Sequence, residues 1–216
     1  MAHFFNPDGK DGKADLRLHA PATARNRDVI FDVLAPTLPE NGLIFEVASG
    51  TGEHAVHMAP KLPNHVWQPT DIEDHHLKSI DAWREEVSHA AILPARHFNV
   101  LDNNFLNGTS EPLAAILAIN LIHISPWAVT EALVAKAGEA LKAGNILFLY
   151  GPYKQGGKHT SESNAQFDLS LKSRDPSWGV KDMEAVLELT NTAGFEAPKV
   201  TSMPANNFSL VFKKQT

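Results

Sequence analysis

The chain has 216 residues, of which 43% are hydrophobic and 20% charged, and it carries a formal charge of −6. These are ordinary globular values with length for one well-buried core, so a single domain over residues 1–216 is expected. The absence of cysteine excludes disulfides, thiolate nucleophiles and Cys-based zinc sites, and the negative balance argues against a nonspecific grip on nucleic acid, which needs clustered Lys and Arg.

Residues 1–20 contain Pro7, Gly9, Gly12 and many polar side chains, so their order must come from docking, and residues 1–21 are expected to form a lid-like segment. Met1-Ala-His-Phe-Phe-Asn6 lacks the charged and apolar regions of a signal peptide, and no apolar run approaches the roughly 18 residues of a membrane span. A cytoplasmic protein free of the membrane, monomer or homodimer, is expected. Val29, Ile30, Val33 and Leu34 recur at helical spacing and predict a lead-in helix over 23–35, ended by Pro36 and Pro39. A strand over 43–48 follows, then a helix from Gly52 that must stop near Pro60. A second strand fits 65–70, a helix 74–87, and a short third strand 96–100.

The apolar run 113–121 predicts a fourth strand, after which Ser125-Pro126 is expected to cap a helix continuing through Leu141 to a glycine C-cap at Gly144. Strand five covers 146–150. Residues 151–179 are polar and long for a connection, so they read as a substrate-side insertion, locally helical over 167–171. A helix over 181–193 closes at Gly194, and strands over 199–203 and 208–212 flank a tight hairpin at Pro204-Ala-Asn-Asn207. Alternating strands and helices imply an α/β fold with a parallel sheet, the final hairpin making one strand antiparallel.

The motif richest in chemistry is Glu46-Val-Ala-Ser-Gly-Thr-Gly52, where an apolar strand runs into a glycine turn at its carboxyl end, the place where open α/β sheets bind ligands. Gly50 and Gly52 can take positive φ and let a ligand approach the backbone. Gly50-Thr-Gly52-Glu-His-Ala55 also fits the dinucleotide pattern, with Asp71 about twenty residues on, so a nicotinamide-dependent reductase stays open. Glu46 favours S-adenosylmethionine instead: a carboxylate just before the glycines needs a polar task, such as organising the turn and holding an ammonium group. Asp71 fits either a ribose-binding role or a helix cap. Asp102, with the Leu101 backbone beside it, fits either an adenine contact or a turn former.

Asn120 and His123 lie where strand four leaves the sheet, and His123 fits either a general base or a structural imidazole. Tyr150, Tyr153, Asn164 and Asp168 are candidates for an acceptor pocket, with Tyr153 also a candidate catalytic group. Eleven histidines supply no ligand set at recognisable zinc spacing, so no metal is expected, and Ser49 and Ser163 lack a G-x-S-x-G elbow.

On these residues the chain resembles class I S-adenosylmethionine-dependent methyltransferases, most closely the uncharacterised family that contains methyltransferase-like protein 26. The likeness runs nearly end to end through Ala22-Thr-Ala-Arg25-Asn26, Glu46 to Ala55, Trp67-Gln-Pro-Thr-Asp71, Asn120-Leu-Ile-His-Ile-Ser-Pro-Trp127, Leu149-Tyr-Gly-Pro152, Ser163-Asn164 with Phe167-Asp168, and Met203-Pro-Ala-Asn-Asn207. It implies a Rossmann-like sheet of seven strands in the order 3-2-1-4-5-7-6 with helices on both faces, but supplies no substrate; the reaction expected is methyl transfer to an oxygen or nitrogen of a small-molecule acceptor. A cofactor-binding module without turnover is the further alternative. Implied cofactor contacts are Arg25, Asn26, Glu46, Ala48, Ser49, Gly50, Thr51, Gly52, Asp71, Ile72, Leu101, Asp102 and Asn120. Trp127, Tyr150, Asn164, Asp168 and Asn206 would line the acceptor pocket. Ala48 departs from the usual first glycine of the turn.

Overall fold

The structure, a computed structural model, describes residues 15–102 and 112–216. The expected strands become β1 (Gly42–Val47), β2 (His65–Asp71), β3 (Arg96–His97), β4 (Leu113–Ile119) and β5 (Ile146–Gly151), all parallel. All seven residues of β4 are buried, as expected for a central strand covered on both faces. After the short pair β6 (Lys154–Gln155) and β7 (Lys158–His159) come β8 (Lys199–Met203) and β9 (Asn207–Lys213). The main sheet has seven strands in the order β3-β2-β1-β4-β5-β9-β8, and β9 runs antiparallel to both neighbours.

Alternation along β1 distributes side chains to two cores. Leu43, Phe45 and Val47 pack with α4 (Trp127–Ala140) and α6 (Met183–Thr192) through Leu133, Val134, Ala137 and Val186. Ile44 faces the other way, toward Ile30 and Leu34 of α1 (Pro21–Leu34) and Met58 of α2 (Glu53–Met58). The remaining helices, α3 (Asp74–Val87) and α5 (Glu162–Arg174), lie against α2 and β2 and against β7 respectively. Among the described residues no helix is long and apolar enough to cross a membrane.

Several boundaries differ from expectation for local reasons. β3 ends at His97 because Asn99 takes over the backbone, its Oδ1 accepting from Leu101 N at 3.0 Å and its carbonyl from Asp102 N at 3.0 Å. β4 ends at Ile119, where Asn120 turns left-handed at φ 58°. Ser125 does not cap α4: its hydroxyl donates back to Leu121 O at 3.0 Å, and Pro126 occupies the N-cap. Nor does Gly144 cap that helix, which stops at Ala140; Gly144 N donates to Lys214 O at 3.0 Å instead, tying the loop to the end of β9.

The polar segment 151–179 is more ordered than its composition suggests. Gly156 and Gly157, both left-handed, close the β6–β7 hairpin. Ser161 then caps a 13-residue α5 by accepting from Asn164 N at 3.1 Å. The β8–β9 turn is built on two left-handed residues, Ala205 and Asn206, each at φ 56°.

Candidate functional site at the carboxyl ends of the sheet

The glycine turn is knitted to β2 by side chains as well as backbone. Ser49 N donates to Thr70 O at 2.7 Å, Ser49 Oγ accepts from Thr70 N at 3.1 Å, and Thr70 Oγ1 donates to Glu46 O at 2.7 Å. Ala48, in the place of the usual glycine, adopts φ 55°, a left-handed conformation that strains a residue with a Cβ by about 1–2 kcal/mol. The two glycines differ in what requires them. A Cβ on Gly52 would lie 2.9 Å from Ile80 Cα, so α3 closes against it, whereas a Cβ on Gly50 would meet nothing within 4 Å. Beside Gly50, therefore, there is space that no atom of the described residues fills.

Two acids flank this turn in different states. Glu46 is 2% exposed, and its Oε2 accepts from Trp67 Nε1 at 2.9 Å. Burial pushes its carboxyl up to about 7, against the opposing hydrogen bonds from Trp67 and Ser49. Asp71 is also buried, but hydrogen bonds from His76, Glu73 N and Gly50 N overcome desolvation and hold its carboxyl below the ordinary value. Its Oδ1 accepts from Glu73 N at 3.0 Å and His76 Nδ1 at 3.1 Å, and its Oδ2 from Gly50 N at 2.9 Å. Asp71 thus holds the entrance of α3 and fastens the glycine turn as well.

Ile72 and Leu101, next to the ends of β2 and β3, are exposed large apolar side chains, and Asp102 is exposed beside Leu101. Arg25 is exposed on α1 and is not drawn into the site. Asn26 is buried and its Oδ1 lies 3.0 Å from His54 Nε2. Burial, aided by the charges of His57 and Arg27, pushes His54 down to about 3, so it is neutral. Burial raises the Tyr150 hydroxyl above its ordinary value, opposed by hydrogen bonds from Asn26 and Asn207. Tyr150 therefore belongs to a polar layer joining α1 to β9.

Sequence reasoning missed Glu53. This buried residue opens α2, and its Oε2 accepts from Thr51 Oγ1 at 2.9 Å and Ala20 N at 2.7 Å. Ser79 extends the link, donating to Thr51 O and accepting from Leu18 N, both at 2.8 Å. Trp83 Nε1 donates to Leu18 O at 3.0 Å. Residues 15–20 are thereby seated on α3 and the glycine turn, while the rest of the expected lid-like segment lies outside the described residues. A carboxylate in the first turn of a predicted helix is a signal that could have singled out Glu53.

On the acceptor side, Asn120 N donates to Tyr150 O at 2.8 Å, and His123 follows in a 3-10 turn. His123 is 5% exposed, stands edge-on to Phe167 at 5.5 Å, and accepts Gly179 N at its carbonyl at 3.0 Å. A Cβ on Gly151 would lie 3.0 Å from His123 Nδ1, so that glycine makes room for the ring. Burial, with a contribution from Lys181, pushes His123 down to about 4 and leaves it neutral at pH 7.

Tyr153 is 1% exposed within the apolar cluster of α4 and α6, its hydroxyl unpartnered among the described residues and raised in pKa by burial. It is core rather than pocket lining. Half-buried Trp127 packs against the same core. Asn164 is buried and donates to Asn206 O at 3.0 Å and Thr160 Oγ1 at 3.2 Å, docking α5 on the β8–β9 turn. Asp168 is likewise engaged within the segment: Oδ1 accepts from Val180 N at 2.7 Å and Oδ2 from Lys172 Nζ at 2.7 Å. These two acceptor-side residues bind the insertion together. Among the described residues no group of three or more His, Asp or Glu is placed to hold a metal ion.

The strand order, the antiparallel β9 and the turn at the carboxyl end of β1 define the class I methyltransferase fold, and solved structures agree. An O-methyltransferase family protein from Burkholderia thailandensis superposes with a TM-score of 0.75 at 13% identity, over 90% of this chain and 57% of that one. Human N-acetylserotonin methyltransferase, solved in complex with SAM, gives 0.71 at 12% over 90% and 53%. An O-methyltransferase family 2 protein from Planctomyces limnophilus, in complex with apigenin, gives 0.74 at 18% over 89% and 60%. The chain thus spans little more than half the length of these proteins. Residues 17–214 match the family described as protein of unknown function (DUF938), and the chain belongs to that family.

Proposed function

We propose that this protein transfers a methyl group from S-adenosylmethionine to an oxygen or nitrogen of a small-molecule acceptor, and that it is kin to the methyltransferase-like protein 26 family. The observation that carries this reading is the unfilled space beside Gly50, bordered by the Asp71 carboxylate with exposed Ile72 and Leu101 at the adjoining strand ends. Apolar side chains and an ionised carboxylate suit an adenine ring and ribose hydroxyls. Glu46, once ionised, supplies a negative charge for an ammonium group. The human neighbour solved with SAM shares the fold and supports the choice.

A nicotinamide dinucleotide fits less well. Its pyrophosphate belongs at the N-terminus of the helix after the turn, and there Glu53 already holds a buried carboxylate bonded to Thr51. An incoming phosphate would meet like charge.

When bound, S-adenosylmethionine supplies an electrophilic methyl group open to in-line attack. Asp71, Ile72, Leu101 and Glu46 would hold and orient it, and positioning of this kind supplies much of the rate in such transfers. Asn120 and His123 border the acceptor. Neutral His123 can take a proton from an attacking hydroxyl or amine, while its low basicity leaves more of the work to placement. Phe167 stands edge-on beside the imidazole at 5.5 Å.

Calorimetry with S-adenosylhomocysteine and with NADH tests the cofactor: binding of NADH alone would overturn the reading. A screen of pooled metabolites for transfer from labelled S-adenosylmethionine tests turnover. Cofactor binding with no product from any pool would favour a non-catalytic binding module.

A further inference from the structure

Asp168 stands at the focus of an unusual distribution of charge. Around its buried carboxylate lie Lys172 Nζ at 2.7 Å, His159 Nε2 at 3.3 Å and Lys154 Nζ at 3.7 Å, brought from α5, β7 and β6. Lys181 adds a third ammonium group from the loop before α6. Burial pushes its ammonium below the ordinary value, Asp168 opposes this, and Lys172 and Lys154 deepen it. Asp182, beside Lys154, is the second carboxylate of the group and is committed to Gly157 N at 2.7 Å and Glu184 N at 3.3 Å.

Three lysines and a histidine thus face three carboxylates, the third being Glu184, which is hydrogen-bonded to Asp182 and accepts from Gly156 N at 3.2 Å, in a protein whose overall charge is −6. Their donors outnumber the acceptors offered. Lys181 Nζ donates to Ser177 O at 2.9 Å, and Nδ1 of His159 is buried without a hydrogen-bond partner among the described residues. Asp168 itself is 4% exposed at its side chain, whereas Lys154 is 21%, His159 24% and Lys172 46% exposed. The carboxylate forms a floor and the cations a rim open to solvent.

This rim adjoins the acceptor side. Phe167, next to Asp168 on α5, stacks against His123, Gly179 N donates to His123 O, and the Lys181 charge is felt by the His123 ring. A Cβ at Gly179 would lie 2.6 Å from Asp168 Oδ1, so the chain passes tightly between the imidazole and the cation cluster.

Building on the methyl-transfer reading, we propose that the acceptor carries an anionic group, a carboxylate or a phosphate, bound by Lys154, Lys172, Lys181 and His159 above Asp168. Two or three charge-assisted hydrogen bonds would anchor that group and leave the acceptor's hydroxyl or amine toward His123. The anchor selects substrates by charge.

The test is titration of the protein, saturated with S-adenosylhomocysteine, with benzoate, phenyl phosphate and neutral benzyl alcohol. The two anions are expected to bind and the alcohol not, and the stronger anion identifies the group. Lys154→Gln and Lys181→Gln are each expected to weaken anion binding by about tenfold, with Lys154→Arg restoring most of it and S-adenosylhomocysteine affinity unchanged throughout. Lys172→Gln, at the most exposed of the lysines, repeats the test where folding is least at stake. If S-adenosylhomocysteine binds but neither anion does, or if anion affinity survives these substitutions, the inference is overturned while the cofactor reading stands. Failure of S-adenosylhomocysteine to bind would instead overturn the reading on which it rests.

Discussion

Replacing Glu46 by Gln separates the electrostatic role of this carboxylate from its shape. The folded protein lifts the carboxyl from 4.5 to about 7, chiefly by burial. Between those values the native state keeps a proton that the unfolded chain has already released, so stability falls as pH rises through this window and levels off above about 7. At about 1.4 kcal/mol per unit, the fully ionised residue costs the fold about 3 kcal/mol. Glutamine keeps an acceptor for Trp67 Nε1 and cannot ionise, but it adds a buried N–H₂ group that costs about 1 kcal/mol if unpartnered.

The variant is therefore expected to be slightly less stable than the parent at about pH 5 and about 2 kcal/mol more stable at about pH 8. The gap should grow by about 2.5 kcal/mol across that range. Urea unfolding of both proteins over this pH series measures it, and taking the difference cancels the contribution of every other titrating group. Two parallel stability profiles would refute the argument, because they would mean that Glu46 ionises in the fold as easily as in the unfolded chain.

The turn residues should rank by what surrounds them. Gly52→Ala, with its Cβ against Ile80, is expected to destabilise by about 3 kcal/mol and Gly50→Ala by about 1–2 kcal/mol, while Ala48→Gly relieves a strained φ and gains up to about 1 kcal/mol. Equal losses at positions 50 and 52 in urea unfolding would contradict the open space beside Gly50. Acid should act through histidine: with His123 at about 4 and His54 at about 3, the unfolded chain takes up protons below about 6.5 that the fold refuses. Stability should therefore drop as pH falls from about 6.5, His123 accounting for about 3 kcal/mol by pH 4. His123→Gln should shrink that drop in urea midpoints, and an unchanged drop would show that His123 charges freely.

The central sheet was legible because β1, β2, β4 and β5 are apolar runs ended by Gly, Asp or Asn, and such runs fit a doubly covered parallel sheet better than any alternative. Glu46 and Asp71 stood out through their places at strand ends. Their partners did not, because Trp67 meets Glu46 only once β2 has paired with β1, and His76 meets Asp71 only once α3 has turned back on the end of β2. Glu53, Ser79 and His54 were hidden for the same reason: each bonds across the fold to residues about thirty or more positions away. Helix α5 was expected only over 167–171, because Phe167, Leu169 and Leu171 are its only large apolar residues, too few to trace a stripe, although Ser161 three positions before Asn164 marks its start. At Ser125 the local signal misled, since a hydroxyl that can cap a helix can as easily turn back to the preceding carbonyl.

Asp71 gathers Gly50, Glu73 and His76 around one carboxylate, so the turn after β1 and the loop after β2 keep their relative shape whether or not anything is bound. The acceptor side is assembled separately, from a hairpin and helix that hold to one another through Asp168 and to the β8–β9 turn through Asn164. Descendants of such a protein could exchange the inserted segment, and with it the molecule modified, while inheriting the other half unchanged.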